Sequence, residues 1–197
     1  MKSANLGLSI AETILARRSV RSYWEENLDR KLIKTLLEAA VHAPTAMHQE
    51  PWAFVIVQDR KILRRLSERA KPLFAEEVQR AGIGRDSHAF GSFANPDFNI
   101  FYDAGTLIII CAKSNYLFAA ADCWLAAENL MLAACAIGLG TCVIGSALSA
   151  MNTQEFKAQL GIPAEYSAIA PIIVGYPRSE TPSTSRREPL ILAWYCG

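Results

Sequence analysis

Arginine and serine side chains are concentrated in one short segment near the N-terminus. Residues 17–22, R-R-S-V-R-S, contain three arginines and two serines between two apolar segments. Guanidinium groups present a fixed fork of N–H donors that matches the oxygens of a phosphate. The segment therefore predicts an anion site, although a solvated basic turn has the same composition and the segment alone does not decide between the two.

A second polar segment, A-P-T-A-M-H-Q-E-P-W, occupies residues 43–52. Its two prolines restrict the backbone, and Thr45, His48 and Gln49 supply hydrogen-bonding groups. The segment lies between a predicted core helix and a predicted core strand, which is a common position for ligand-binding loops. We therefore expect it to line a binding site.

A long apolar segment in the second half of the chain ends in glycine. Asp122 is expected to cap a helix over Cys123–Ile137, and Gly138 to end it. A helix that is apolar nearly all round lies in a large core or a subunit interface. A buried strand over Thr141–Ile144 follows, and Gly145 lets the backbone approach a ligand closely. Periodicity alone favours a plain core helix, turn and strand.

The rest of the pattern predicts one α+β domain over residues 1–197. Further helices are expected at 10–16, 29–42, 59–70, 71–81 and 153–160, strands at 53–58, 106–112 and 166–174, a long loop at 82–99 and an apolar extended segment at 190–195. Helices and strands do not alternate regularly, which favours α+β over a doubly wound sheet. The length suits a single domain with a sizeable core.

Composition excludes several classes of function. The net charge of +1, from 20 basic and 19 acidic residues, gives no electrostatic reason to expect a nucleic-acid partner. No basic amphipathic segment indicates a membrane surface. The five cysteines form no C-x-x-C pair and the three histidines no H-E-x-x-H pair, so buried reduced thiols and no metal are expected. The N-terminus has no apolar signal core, which predicts a cytoplasmic protein.

Four sequence blocks together carry a resemblance. They are I-L-A-R-R-S-V-R-S-Y, A-P-T-A-M-H-Q-E-P-W-A-F, A-A-E-N-L-M-L-A-A-C-A-I-G-L-G-T-C-V-I-G, and V-G-Y-P with R-R-E-P-L. In this order, over nearly the whole chain, the blocks resemble the nitroreductase family of FMN-dependent oxidoreductases. The resemblance implies a mixed, mainly antiparallel sheet flanked by helices, and an intertwined homodimer with two FMN sites at its interface.

The resemblance also implies which residues contact the cofactor. Arg17 and Ser19, with Arg21, match positions that hold the FMN phosphate, the ribityl chain or the pyrimidine edge, and Arg187 matches a C-terminal phosphate-binding arginine. The backbone N–H at Gly145 is expected to face flavin N5. The complete implied set is Arg17, Arg18, Ser19, Arg21, Pro44, Thr45, Ala46, His48, Asn99, Val143, Ile144, Gly145, Arg186 and Arg187.

The function implied by the resemblance is transfer of hydride from NAD(P)H to flavin N5 and on to a nitroaromatic, a quinone or a related electrophile by a ping-pong mechanism. No catalytic side chain is required, because the flavin performs the chemistry. One alternative is a non-catalytic flavin-binding or redox-sensing protein with the same pocket. Another is a member that fragments reduced flavin with oxygen or dehalogenates aromatic substrates; such members usually carry extra lid segments, and the 82–99 loop is modest in length. The choice between NADH and NADPH stays open.

Overall fold

The computed structural model describes residues 7–82, 93, 95–113 and 115–196, and in this part of the chain four strands form one sheet in the order β1-β2-β4-β3 with helices on both faces. The helices are α1 (Ile10–Ala16), α2 (Arg30–Val41), α3 (Arg60–Arg80), α4 (Ala119–Ala136), α5 (Leu148–Met151) and α6 (Gln154–Leu160). The strands are β1 (Trp52–Val57), β2 (Thr106–Lys113), β3 (Gly140–Val143) and β4 (Tyr166–Gly175), and short 3-10 turns occupy Ala46–His48 and Gly145–Ala147.

All three strand pairs of the sheet are antiparallel. Among the described residues, a parallel pairing occurs at the isolated bridge between Ser19 and Thr141. The predicted mainly antiparallel α+β fold is therefore confirmed. Leu107 and Ile109 of β2 pack in one core cluster with α3 and α6, whereas Ile108 packs in a second cluster with α2 and α4. Because side chains alternate across a strand and both faces are covered, β2 is a continuous apolar run.

Several helix ends follow their local sequence signals. The sequence S-I-A-E over residues 9–12 is typical of a capping box, and Ser9 and Glu12 form one at α1. The Asp29 carboxylate accepts a hydrogen bond of 2.8 Å from the N–H of Leu32. Gly138, which follows α4, has a φ of 77°. The left-handed backbone that ends this helix therefore falls on the residue that adopts it at least cost.

The start of α4 corrects the sequence prediction. The helix begins at Ala119, three residues before Asp122, and its N-cap Phe118 makes no side-chain capping bond. Asp122 lies inside the first turn with 3% of its surface exposed, and its Oδ1 accepts from the N–H of Ala46 at 3.2 Å. The prediction was wrong because the carboxylate binds a distant loop rather than its own helix end.

Helix α3 is a second correction, since it is one helix and not two segments divided near residue 70. Pro72 lies inside it. An interior proline costs about 3 kcal/mol because it removes a backbone hydrogen bond and crowds the preceding turn. Leu66, Ala70 and Val78 form a continuous buried face on both sides of the proline. Packing of this face outweighs the local penalty.

The C-terminal segment, residues 178–196, contains neither helix nor strand. The predicted apolar segment 190–195 is exposed in the single chain, and Tyr195 is 96% exposed. Ten of the residues in the predicted 82–99 loop, 83–92, and also residue 94, lie outside the described residues, so the expectation of a lid there has no structural account. None of the described helices has both the length and the apolarity needed to cross a bilayer.

Candidate functional site

The arginine-rich segment lies along β3, at one edge of the sheet. The N–H of Val20 donates to the carbonyl of Thr141 at 2.9 Å, and the N–H of Trp24 donates to the carbonyl of Tyr176 at 2.9 Å. A side-chain carbon at Gly140 would lie 2.8 Å from Val20 Cβ, so only glycine lets the segment lie this close to β3. These contacts place residues 17–21 beside β3.

Arg17 and Arg18 line a cavity of about 800 Å³ together with Arg178 and Gly138. Arg17 Nε is 3.2 Å from Glu128 Oε1, and Arg18 Nη1 donates to the carbonyl of Arg17 at 2.8 Å. Glu180 also lines the cavity, so two carboxylates, those of Glu128 and Glu180, oppose the three guanidinium groups and leave one excess positive charge. The cavity can therefore bind an anion such as a phosphate monoester.

The residues on the β3 side of this segment form a second group. The Arg21 guanidinium carbon lies 5.9 Å from the centroid of the Tyr102 ring, within the range of a cation–π contact. Cys142 of β3 is buried beside Ser19 and Arg21. Burial raises the pKa of the Cys142 thiol, and the positive charge of Arg21 opposes that rise. Cys142 is thus a buried thiol, as the sequence predicted.

The end of β3 faces open space. The N–H of Ile144 donates to the carbonyl of Pro171 at 2.9 Å, which holds this residue against β4. A side-chain carbon added at Gly145 would meet no atom within 4 Å. Val143 is half-buried and Gly145 exposed. The position predicted to face a flavin ring is therefore open at Gly145.

Asn99 shapes a turn with both ends of its amide. Its Oδ1 accepts from the N–H of Phe101 at 3.0 Å, and its Nδ2 donates to Asp103 Oδ1 at 2.8 Å. Tyr102 and Asp103 follow with φ values of 51° and 56°, in the left-handed region. This turn places the Tyr102 ring beside the Arg21 guanidinium group. The predicted contact between Asn99 and a flavin stays a prediction.

The loop over residues 44–49 is held in a strained backbone conformation. Met47 and His48 have φ values of 57° and 51°. Left-handed non-glycine residues cost about 1–3 kcal/mol each and persist only where the surroundings hold them. Here Ala46 is bound on both sides: Asp122 accepts from its N–H, and the Tyr116 hydroxyl donates to its carbonyl at 2.8 Å.

Within one chain, this loop lies far from the arginine segment. Ala46 contacts Asp122 in the first turn of α4, whereas Arg17 pairs with Glu128 about 9 Å further along the axis and the basic cavity reaches Cys135 about 20 Å further, at ~1.5 Å per residue. The loop leads into β1 and the arginine segment lies on β3, at opposite edges of the sheet. Three interstrand spacings of ~4.8 Å separate these edges by about 14 Å.

Arg186 and Arg187 lie in the exposed C-terminal segment. Arg186 Nη1 donates to the hydroxyl of Thr184, two residues earlier, at 2.9 Å. The basic cavity is lined on its C-terminal side by residues 177–181 and by neither of these two arginines. In the single chain, the structure thus does not bring the two predicted phosphate-binding regions together.

Sequence reasoning missed four side chains of this region. Glu128 pairs with Arg17, Arg178 lines the same cavity, Tyr102 lies under Arg21, and Tyr116 binds the 44–49 loop. Each acts through a contact distant in sequence, so spacing carries no signal for it. Among the described residues, no three His, Cys, Asp or Glu side chains converge as a metal site requires.

Comparison with known proteins agrees with this architecture. A profile of the Nitroreductase family matches residues 14–176. The chain belongs to this family. A similar solved structure is a nitroreductase with bound FMN from Bacteroides fragilis NCTC 9343, with 27% sequence identity, a TM-score of 0.78, and coverage of 96% of this chain and 100% of that chain.

Curated relatives of similar identity carry more than one name. A protein of Archaeoglobus fulgidus, provisionally named as an NADH dehydrogenase/NAD(P)H nitroreductase, is 28% identical over 172 residues, which are 85% of this chain and 84% of the relative. The iodotyrosine deiodinase of Thermotoga neapolitana is 27% identical over 180 residues, 89% of this chain and 92% of the relative. The family of the chain is therefore established, but its relatives are named for different reactions.

Proposed function

We propose that this chain is an FMN-dependent oxidoreductase that uses NAD(P)H to reduce a nitroaromatic, a quinone or a related electrophile. The observation that carries the proposal is the basic cavity at Arg17 and Arg18, on the same edge of the sheet as the open space at Gly145. A phosphate and a planar ring need this pairing of sites. The FMN in the Bacteroides fragilis nitroreductase supports it.

The residues of this chain bind and orient the cofactor. Arg17 and Arg18 would hold the phosphate, and each charged hydrogen bond would contribute about 1.5–3 kcal/mol. Ser19 and Arg21 would contact the ribityl chain and the pyrimidine edge, and the N–H at Gly145 would face N5. When bound, FMN supplies the hydride chemistry, so the protein needs no acid, base or nucleophile of its own for the reductive half-reaction.

We also propose a homodimer in which each site takes residues from two chains. The 44–49 loop contacts the first turn of α4, the Arg17 side chain pairs with Glu128 near the middle of that helix, and the two regions lie at opposite edges of the sheet, so one cofactor would meet both groups if the loop came from a second copy. Exposed apolar side chains support close association: Ile10 of α1 is 80% exposed and Leu125 of α4 is 46% exposed. A C₂ arrangement would bury these faces against each other and create two equivalent sites.

The first experiment is a visible absorption spectrum of the purified protein, followed by anaerobic addition of NADH or NADPH. We expect a yellow protein that either nucleotide bleaches, and that nitroaromatics or quinones then reoxidise. A yellow protein that neither nucleotide bleaches would favour a binding or sensing role. Reoxidation by a halogenated aromatic alone would move the assignment to dehalogenation. A colourless protein that cannot be reconstituted with FMN would contradict the proposal.

A further inference from the structure

We propose that Asp122, together with Tyr116, is a positioning residue that holds the 44–49 loop in the conformation that lines the cofactor. This inference rests on the proposed function, because the loop's role toward FMN is part of that proposal. Asp122 itself would touch neither cofactor nor substrate. It acts through the backbone of Ala46, across 76 residues of sequence.

The two side chains bind both polar groups of one residue. Asp122 Oδ1 accepts from the N–H of Ala46 at 3.2 Å, and the Tyr116 hydroxyl donates to the carbonyl of Ala46 at 2.8 Å. Tyr116 is itself placed by Phe118, whose ring lies edge-on with the centroids 6.1 Å apart. Ala46 is thereby tied to the segment that begins α4.

The residues that follow depend on this tie. Met47 and His48 are both in the left-handed region, where a side chain crowds the backbone. A free loop would relax to commoner conformations, so the backbone needs bonds that fix it. Those at Ala46 come immediately before the two strained residues. Thr45 adds a longer contact, since its hydroxyl accepts from the N–H of Glu50 at 3.5 Å.

The carboxylate is placed at a cost to stability. Asp122 is 3% exposed, and its Oδ2 has no hydrogen-bond partner among the residues that the structure describes. A buried carboxylate with unmet hydrogen-bonding capacity is unfavourable. It lies in a helix that is otherwise almost wholly apolar on its buried face. Core packing alone does not explain a carboxylate at this position, whereas its hydrogen bond to the N–H of Ala46 does.

The test compares Asp122→Ala, Asp122→Asn and Tyr116→Phe with the wild-type protein, using FMN fluorescence to measure Kd and amide hydrogen exchange to follow residues 46–48. Loss of a hydrogen bond to a charged group predicts a roughly tenfold higher Kd for Asp122→Ala, with faster exchange in the loop. Asparagine keeps the Oδ1 acceptor, so Asp122→Asn should rescue both readouts. Tyr116→Phe should raise Kd and speed exchange less than Asp122→Ala.

Thr106→Val is the matched control. Thr106 is fully buried, and its hydroxyl accepts from the N–H of Leu28 at 3.3 Å, so it too ties a distant segment to the core. Its loss should lower Tm without changing the Kd for FMN or the exchange of residues 46–48. A merely structural role for Asp122 would give this same result.

Two outcomes would overturn the inference: an Asp122→Ala variant with wild-type Kd and loop exchange, or an Asp122→Asn variant as impaired as Asp122→Ala. Should Asp122→Ala fail to fold, an unchanged Tyr116→Phe would overturn it instead. Failure of the proposed function is distinguishable, because the wild-type protein would then bind no FMN, and loop exchange would still report whether Asp122 holds the loop.

Discussion

Arg17 and Arg187 have different surroundings in the structure, although the sequence predicts the same phosphate-binding role for both. Arg17 is partly buried and paired with Glu128, which limits the directions its guanidinium can take. Arg187 is exposed in the C-terminal segment. If both side chains hold one phosphate, Arg17 is already fixed by its ion pair, whereas Arg187 must be ordered together with the exposed C-terminal segment when the phosphate binds. Preorganisation lowers the entropy that binding must overcome.

Removing either arginine should release the cofactor without unfolding the chain. We expect Arg17→Ala and Arg187→Ala each to weaken FMN binding roughly 10- to 100-fold, the equivalent of about 1.5–3 kcal/mol, and to purify as nearly colourless proteins. The ratio of flavin to protein absorbance and the Tm are the measurements. Arg80→Ala is the control, since Arg80 is an exposed arginine on α3 paired only weakly with Glu76 at 3.8 Å. Full FMN retention by both variants would remove the assignment.

Among the elements, β3 decides where the arginine segment lies. Its first residue, Gly140, is in contact with Val20, and its end turns into the open space at Gly145. A strand of four residues thus sets the spacing between the proposed phosphate and ring positions. Helix α4 fixes the position of the 44–49 loop through the hydrogen bond between Asp122 and Ala46.

A methyl group at the start of β3 should disturb the site selectively. In Gly140→Ala the new carbon would lie within 3 Å of three Val20 carbons, and such overpacking costs about 1–3 kcal/mol. Val20 is β-branched and cannot rotate away easily, so the segment carrying Arg17 should shift. We expect a lower Tm and weaker FMN binding, measured by thermal melts and fluorescence titration.

Gly161→Ala provides the control at the same scale. Gly161 has a φ of 69° and open space around it, so alanine there strains the backbone by about 1–2 kcal/mol without touching the site. Its Tm should fall while FMN affinity stays unchanged. Equal FMN affinity in the two variants would show that the contact between Gly140 and Val20 does not position the site.

At the scale of the whole molecule, the separation of the two predicted site regions is the dominant feature. Both regions are well defined in one chain, yet α4 and the sheet hold them apart. A single subunit can therefore offer one half of a site at each end. In a symmetric dimer, the Arg17 segment of each subunit would meet the 44–49 loop of the other subunit.

Co-purified heterodimers test this arrangement. Arg17→Ala removes a phosphate contact, and His48→Trp places an indole on the exposed loop. A shared site puts both defects in one site of the heterodimer and leaves the other intact, so we expect about one FMN per dimer and almost none in either homodimer. Absorbance of tandem-affinity-purified protein gives the ratio. No recovery in the heterodimer would mean that each site lies within one chain.

The sequence by itself predicted most of the helices and strands and the family of the chain. Local signals sufficed where the interactions are local: the capping box at Ser9, the cap at Asp29, and the left-handed glycine after α4. The four blocks in order predicted the family, which the profile match confirms. Of the three arginines that line the basic cavity, Arg17 and Arg18 were predicted and Arg178 was not.

Only the tertiary structure decided where these residues meet. Local signals failed at Asp122 and at Pro72, because a distant loop and a continuous buried face outweighed them. The pairing of Arg17 with Glu128 spans 111 residues, since 128 minus 17 is 111. Contacts of this kind depend on how helices cross the sheet, which residue spacing along the chain does not encode. Packing also separated the loop from the arginines, and that separation makes a second copy of the chain part of the proposed site.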